Sequence, residues 1–331
     1  MTISQHPSPE ELHLLYVLLD SNLPTGGFVS SSGLESFAKH GFLSPIPPSY
    51  SSSGVSSKGR RSVGQGITEF AKVEVENYSM TTCIFVIRAY QIVHKALSSH
   101  LLPSQEQDTD VEGVVEDIIQ VDKYNESTLL NHVGRRASRA QGVAMLTLYT
   151  RGLSNPAESP DDNQDGVSDD RETRTKSRAK KIIDLYKRCI RGNKSPGHLA
   201  VCWGVMTACI GLSLDRSIHL HLFLHARSLL SSAVRLNLIG PYASSQLLLH
   251  PFKRIIDDQV EALYKDGHLD DVKSQCQDVV GISFREEEKE GEDDFWSWAD
   301  ETNTQSPKTT WPLGEILMSR HDLQHSRIFN S

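Results

Sequence analysis

The stretch that decides the fold is LLDSNLPTGGFVSSSGLESF, residues 18 to 37, which interrupts two helical patterns. Pro24 fixes its own φ and moves the residue before it out of the helical region. Gly26 and Gly27 permit backbone conformations that a side chain would forbid. The stretch therefore predicts a fixed turn, with Phe28 beside it, that joins two helices at a corner.

The second helix of this corner has its own start and stop signals. Ser32 and Glu35 have the spacing of a capping box, with the serine at the N-cap and the glutamate at N3. Gly41 is expected to end the helix. Two interpretations of the corner stay open: a helix–turn–helix connection without a ligand, or a phosphate-binding loop at a helix N-terminus. The phosphate interpretation lacks the Lys-Ser/Thr pair and the preceding strand of a P-loop.

Charge is distributed unevenly along the 331 residues, whose formal net charge is -8. The run 158–172 contributes -6 and the run 285–294 contributes -5, so the remainder of the chain is near +3. A nearly neutral body argues against a nucleic-acid-binding face, which needs clustered Lys and Arg. The mean hydropathy of -0.36 also indicates that part of the chain is loop.

Cysteine usage and the length of the apolar runs predict the cellular compartment of the protein. The five cysteines form no CxxC pair, and no basic and apolar leader opens the chain, which predicts reduced thiols in a cytoplasmic protein. The longest apolar run, 201–214, spans 14 positions. A membrane-spanning helix needs about 20, so we expect no membrane contact.

Apolar residues recur at helical spacing along the chain, and no alternating strand pattern interrupts them. The predicted helices are 10–20, one from the corner to 40, 67–99 (one helix or two), 111–130, 135–151, 179–191, 198–212, 215–238 with Asp215 as cap, 242–265, 269–280 and 311–329. The helix at 198–212 is apolar on nearly all sides and is therefore expected at the centre. We predict an all-α fold, a single helical bundle of roughly nine or ten helices.

The domain organisation follows from composition. Residues 1–280 form the helical domain, with flexible insertions at 44–66 and 155–176 that hold little to bury. Residues 281–310 form an acidic linker. The tail, 311–331, is apolar enough to dock although it follows a linker, and we expect it to bind a partner.

Three histidines are the best candidates for a metal site. His221 and His225 are four residues apart and share a helix face, as two zinc or nickel ligands would, and His219 precedes them. The alternative is a pair of structural histidines on a partly buried face. No Ser-His-Asp order, G-x-S-x-G motif or paired carboxylates indicate catalysis, so we predict no catalytic residue, no cofactor and no enzyme.

Two sets of arginines offer contacts of another kind. Arg135, Arg136 and Arg139 flank Ser138, which suggests a patch for an acidic partner, a phosphorylation site or a solvated helix face. Arg227 and Arg235 lie eight residues apart on an otherwise apolar helix. Each is expected to pair with a buried acid or to face a partner.

Four blocks in order carry a resemblance to a known family. The corner stretch resembles the N-terminal signature of urease accessory protein F, S-x-L-P-x-G-G-[FY] followed by S-x-G-L-E. RRASRAQGVAMLTL (135–148) and SSAVRLNLIGPYASSQLLL (231–249) are similar to two internal blocks of that family. LGEILMSRHDLQHSRIFNS (313–331) is similar to its S-R-[LI]-F-x-S ending. The three insertions are departures typical of a eukaryotic, fungal member.

The resemblance implies a fold and a non-catalytic function. Members are all-α, form dimers and assemble with a second accessory protein, called D or H, and with the accessory GTPase. That complex docks on apo-urease and supports nickel insertion, and the F component recruits the GTPase and regulates it. A helical nickel-binding protein or metalloenzyme that uses the three histidines remains the alternative, and a plain helical scaffold is a third hypothesis.

The resemblance also implies partner-binding residues, wherever the blocks match. Glu35 is expected to contact the GTPase or another partner, and Arg327 and Phe329 to anchor the tail on the D/H partner. The remaining residues carried over are Pro24, Gly26, Gly27 and Phe28 at the corner, Arg136, Ser138, Gln141 and Gly142 on a helix-packing or partner face, and Arg235 and Gly240 in the third block.

Overall fold

The computed structural model describes residues 7–20, 23, 30–43, 62–99, 111–154, 170–265 and 306–329. Within these ranges lie twelve α-helical segments and no strand. Two pairs of segments are joined by π-helical turns, so the twelve segments form ten continuous helices. The predictions of an all-α bundle and of its approximate helix number are confirmed.

The helices are, in chain order, α1 (Pro9–Leu18), α2 (Leu34–Lys39), α3 (Val63–Tyr78), α4 (Ile84–Ser99), α5 (Val111–Thr128), α6 (His132–Leu148), α7 (Asp170–Arg191), α8 (Leu199–Cys209), α9 (Leu214–Arg235), α10 (Pro241–Leu247), α11 (Lys253–Lys265) and α12 (Pro312–Ser319). Among these residues, no helix combines the length and the apolar character that crossing a membrane requires.

Helix α8 lies at the centre of the bundle, as its sequence predicts. Every residue from Ala200 to Ala208 is buried. Its neighbours include α4, α6, α7 and α9. A helix that is apolar on all sides can only be stable when other helices cover each side, and here they do.

Three helices continue into π-helical turns. Ser79–Cys83 joins α3 to α4, Tyr149–Leu153 extends α6, and Leu248–Phe252 joins α10 to α11. The third turn contains Pro251, which has no N–H to donate. The π-helix is rare, and it occurs mostly as single turns of this kind within α-helices.

The start of α2 differs from the prediction. The N-cap is Gly33 with φ 83°, and no side chain caps the helix. Ser32 also has a positive φ of 47°. The expected capping box between Ser32 and Glu35 is therefore wrong, because the helix begins one residue later than the box requires. The predicted end is confirmed, since α2 stops at Lys39 and Gly41 follows with φ 82°.

Other boundaries need correction as well. A complete capping box occurs at Ser62 and Gln65, so α3 begins inside the predicted 44–66 insertion. Helix α7 begins at Asp170 and takes up the end of the predicted 155–176 insertion. Ser213, not Asp215, is the N-cap of α9. The predicted helix 269–280 lies outside the described residues.

Candidate functional site: the docked C-terminal tail

Residues 306–329, which we call the docked tail, pack on the chain's own helices. The tail consists of α12, a 3-10 turn at Arg320–Leu323 and a short final segment. Helix α12 contacts α2 and α6, and the 3-10 turn contacts α2. The tail was expected to order against a partner, but its inner face already has partners within this chain.

The tail begins on α3. The side-chain carbonyl of Asn77 accepts the backbone N–H groups of Thr310 and Trp311 at 3.0 and 3.2 Å. The indole of Trp311 packs edge-on against Phe70, with ring centroids 5.4 Å apart, and Phe37 of α2 lies beside both rings. These contacts fix the position from which α12 starts.

Helix α12 is held by a carboxylate. Glu315 accepts a hydrogen bond from the Asn77 amide at 3.4 Å and another from the amide of Asn131. Asn131 is also the N-cap of α6, where its side-chain oxygen accepts the N–H of Gly134. One asparagine therefore caps α6 and contacts the tail at the same time.

The 3-10 turn is held by Asp322. Its carboxylate accepts two hydrogen bonds from the Arg136 guanidinium, each 3.0 Å long. The side chains of Arg327 and His132 lie 2.6 and 3.2 Å from the same carboxylate. The Arg136 hydrogen bonds are the main reason that the pKa of Asp322 falls to about 2. The turn thus joins α6 to the last residues of the tail.

The end of the tail is held by Glu35, whose side chain is fully buried. Its two oxygens accept the backbone N–H groups of Ile328 at 2.9 Å and Phe329 at 3.1 Å. Lys39, one turn further along α2, pairs with the same carboxylate at 2.8 Å and donates to the carbonyl of Ser326. Burial alone would raise the pKa of Glu35, but Lys39 and the two N–H groups keep that pKa below its ordinary value.

Phe329 is buried at the same place. The guanidinium carbon of Arg235 lies 4.3 Å from the centre of its ring, a cation–π contact with the end of α9. The buried ring of His321 donates a hydrogen bond to the Phe329 carbonyl at 3.0 Å. The tail therefore closes on itself as well as on the bundle.

The structure brings together five of the sequence-predicted partner residues. Glu35, Arg136 and Arg235 contact the docked tail, and Arg327 and Phe329 belong to it. Arg327 and Phe329, expected to anchor the tail on a partner, contact Asp322 and Arg235 of this chain. Gly240 is elsewhere, as the N-cap of α10. Pro24, Gly26, Gly27 and Phe28 lie outside the described residues.

The remaining predicted residues belong to the contact between α6 and α8. The Ser138 hydroxyl accepts the N–H of Leu199 at 3.1 Å and lies 3.2 Å from the ring nitrogen of His198. A Cβ added to Gly142 would lie only 2.2 Å from the Gly197 carbonyl, so the close approach requires glycine. Gln141 is half-buried on the same helix. Of the alternatives for this face, Ser138 and Gly142 take part in helix packing.

The other arginines have partners within the chain. Arg135 and Arg139 pair with Glu126 of α5 at 3.5 and 2.5 Å. Arg227 donates to the carbonyl of Leu19 at 2.7 Å rather than to a buried acid. The three α6 arginines are 38 to 52 % exposed, as a solvated helix face requires, and they reach two different acids, Glu126 and Asp322 of the tail.

The three histidines do not converge. His221 lies 3.0 Å from the Tyr78 hydroxyl, and His225 stacks on the Tyr78 ring at 3.6 Å. His219 is about half exposed and faces Asp257 instead. In the described ranges, no group of three or more His, Cys, Asp or Glu side chains is placed to hold a metal ion. The structural interpretation of the histidine pair is the one the geometry supports.

Sequence reasoning missed several residues that hold the tail, namely Lys39, Asn77, Asn131, Glu315 and Asp322. All five contact groups that lie more than 180 positions away, so no local pattern could reveal the pairing. The available signal was Asp322 itself, which lies five residues before Arg327 in a segment that is otherwise basic.

The outward face of the docked tail carries four large apolar side chains. Leu313, Ile316, Leu323 and Ile328 are 45, 58, 77 and 55 % exposed. Large apolar side chains gathered on one short exposed segment are typical of a protein-interaction site. The fold and this site define a class: an all-α bundle closed by its own tail, which presents an apolar face.

Comparison with known proteins shows the family to which the chain belongs. The family model UreF matches residues 65–251, which include the second and third blocks. "Urease accessory protein 6" of Cryptococcus neoformans var. grubii is 53% identical over 99% of each chain. An "Uncharacterized urease accessory protein UreF-like" of Schizosaccharomyces pombe is 24% identical over 98% of this chain and 99% of its own. "Urease accessory protein F" of Oryza sativa is 26% identical over 70% of this chain and 65% of its own.

The chain belongs to the UreF family of urease accessory proteins, and its role is in urease maturation. The two fungal relatives cover nearly the whole chain, including the first and last blocks, which lie outside the family match. The resemblance drawn from four blocks of sequence is confirmed.

Proposed function

We propose that this chain is a non-catalytic adaptor that links the accessory GTPase and the D/H-type accessory protein to apo-urease. In this role it regulates the GTPase and supports nickel insertion into the urease active site. It acts in the cytoplasm, as a homodimer within the complex. Family membership supports a role in urease maturation, and the docked tail supports the adaptor mechanism.

The observation that carries the proposal is the two-sided tail. Its inner face is fixed by Glu35, Asp322 and Trp311, whereas its outer face exposes four large apolar side chains. A segment already ordered on its own chain loses little conformational entropy when a partner covers it. The tail therefore offers a preformed surface, and we propose that the D/H-type protein covers it.

The test is reconstitution of urease activation from purified components, with and without this chain. Wild-type chain is expected to activate urease and to co-purify with the GTPase and the D/H-type protein. The double variant Leu313→Asp/Ile316→Asp, which changes only exposed tail residues, is expected to lose the D/H-type protein and most of the activation. Val143→Asp is the matched control, since Val143 is 44 % exposed on α6.

Two results would contradict the proposal. Full activation without the chain would remove the adaptor function. Full activation and full D/H co-purification by the tail variant would show that the D/H-type protein binds a surface other than the docked tail. Circular dichroism of each variant establishes that the helical fold is intact before the assays are compared.

A further inference from the structure

The outer face of α7 carries a row of exposed cations that the tail does not use. We call it the basic stripe: Arg174, Lys181, Arg188 and Arg191. The four are spaced by seven, seven and three residues, so they share one helix face. At 1.5 Å per residue the first three are about 10.5 Å apart, and the stripe is about 26 Å long.

The orientation of this face is fixed by the core. Ile182, Ile183 and Tyr186, on the opposite side of α7, are fully buried. The Tyr186 hydroxyl also donates to the buried carboxylate of Asp122 on α5 at 2.9 Å. Helix α7 therefore cannot rotate to hide its cations, and the stripe faces outward permanently.

The cations of the stripe are not neutralised within the described part of the chain. None of the four has a carboxylate at ion-pair distance there, although helical spacing puts two acids of α7, Asp170 and Asp184, on the same side of the helix. Helix α11 differs, because its Asp257 and Glu261 each pair with a lysine four residues away. An uncompensated row of cations is unusual in a chain whose net charge is -8.

A neighbouring cluster of cations extends the stripe toward α6. Lys187 donates to the hydroxyl of Thr150 at 2.7 Å, within the π-helical turn that ends α6, and its ammonium is half-buried. Burial, followed by repulsion from Arg191, lowers the pKa of Lys187; Asp184 opposes this shift in part, and Arg151 adds to it. These cations are held together against their mutual repulsion, and an anionic partner would relieve it.

We propose that the basic stripe docks an acidic helix of a partner protein, one whose carboxylates recur every seven residues. Such a helix lying along α7 would meet Arg174, Lys181 and Arg188 in turn, and its register would be set by their spacing. This surface is separate from the docked tail, and the inference does not depend on which maturation proteins bind there.

Other anionic partners fit the stripe less well. Single-stranded nucleic acid is bound through exposed aromatic side chains, and the one aromatic residue of α7, Tyr186, is buried. Helix α11 of a second copy is a weaker partner, because its Asp257 and Glu261 are already paired with lysines.

The test uses the full chain and two synthetic helical peptides of equal composition, labelled for fluorescence anisotropy. In one peptide the glutamates recur every seven residues on one face, and in the other they are distributed around the helix. The aligned peptide is expected to bind at least tenfold more tightly. Lys181→Glu/Arg188→Glu should weaken its binding at least tenfold, whereas Lys72→Glu/Lys123→Glu, with the same charge change on exposed sites of α3 and α5, should not.

Several outcomes would overturn the inference. Equal binding of the two peptides would show only general attraction between charges. A DNA duplex of equal charge, or anionic vesicles, that bound more tightly than the aligned peptide would identify another class of ligand. Sedimentation that showed charge-dependent self-association through the stripe would assign it to a second copy. Circular dichroism of both variants separates lost binding from lost fold.

Discussion

Two buried glutamates, Glu35 on α2 and Glu74 on α3, show how differently one side chain behaves in one bundle. Glu35 meets Lys39 and two backbone N–H groups, and its pKa is lowered. Glu74 faces the ring of His225 at 3.4 Å, and burial followed by repulsion from Glu315 raises its pKa well above the ordinary value. Both carboxyls are almost inaccessible to solvent. The comparison shows that hydrogen-bond donors, and not burial, decide which carboxyl is charged.

The two sites therefore hold the structure in different ways. Where the docked tail meets α2, the carboxylate of Glu35 accepts the backbone N–H groups of Ile328 and Phe329, more than 290 positions away. Between α3 and α9 the ring of Tyr78 stacks on His225, and burial lowers the pKa of that histidine to about 3. Charge holds the docked tail, and neutral aromatic packing holds α3 against α9.

The largest effect is expected from Glu35→Gln. The amide loses the ion pair with Lys39 and directs an NH₂ group at one of the two tail N–H groups. Breaking a buried, hydrogen-bonded charge pair costs about 3–5 kcal/mol, so we expect the docked tail to open. Hydrogen exchange of residues 320–329 should increase strongly, and trypsin should cleave after Arg327. Unchanged protection of this segment would show that Glu35 does not hold it.

The pH dependence should have opposite signs at the two sites. Because the pKa of Glu35 in the folded chain lies below its unfolded value, its contribution is present above about pH 4.5 and is lost as the pH falls through the folded pKa. Glu74 has a raised pKa, so its contribution falls as the pH rises from about 4.5 toward the folded value. Each changes the free energy of unfolding by up to about 1.4 kcal/mol per pH unit within its window.

Carboxyl ¹³C NMR measures this difference directly. Glutamate-labelled chain, with signals assigned through the Glu35→Gln and Glu74→Gln variants, should show Glu35 titrating below 4.5 and Glu74 above it. The reverse order, or two equal values, would remove the distinction between the two carboxyls.

Glu74→Gln should have a smaller effect, of the opposite sign. A glutamine has nearly the shape of the protonated glutamate and needs no proton to remain neutral. We expect the free energy of unfolding at pH 7 to rise by about 1 kcal/mol, because the unfolded wild-type chain gains the hydration of an ionised carboxylate and the variant does not. Chemical denaturation at pH 5 and pH 7 measures it. A loss of several kcal/mol would show that Glu74 is charged in the folded chain.

The sequence predicted the helices better than the contacts between them. Apolar periodicity located α8 at the centre, because the period of a helix is a local property. The start of α3 was missed because Ser62 and Gln65 follow a long Ser- and Gly-rich run. The capping box at Glu35 was wrong for a different reason: its spacing from Ser32 matches a capping box, whereas its carboxylate binds backbone groups at the other end of the chain.

At the candidate site, family resemblance predicted more of the residues involved than helical periodicity did. It selected Arg136, Arg235, Arg327 and Phe329, which the structure places around one tail, although it could not say that they contact their own chain. Motifs record which residues are required, and only the fold shows what they contact. The basic stripe of α7 was not predicted, because its first turns were assigned to the acidic insertion.

The smallest effect is expected from Asp322→Asn. This variant removes a partly exposed charge that holds the docked tail and leaves the buried charge of Glu35 in place. Asp322 is 27 % exposed, and Arg136 and Arg327 reach it from the surface. Ion pairs of this kind contribute about 0.5–1 kcal/mol and weaken with salt. Hydrogen exchange of residues 320–329 should therefore rise slightly at low salt and match wild type at high salt, and Asp257→Asn on α11 is the control. If this variant opened the tail as fully as Glu35→Gln, exposed charges would be holding the tail, and the contrast between the buried Glu35 and Glu74 would not explain its docking.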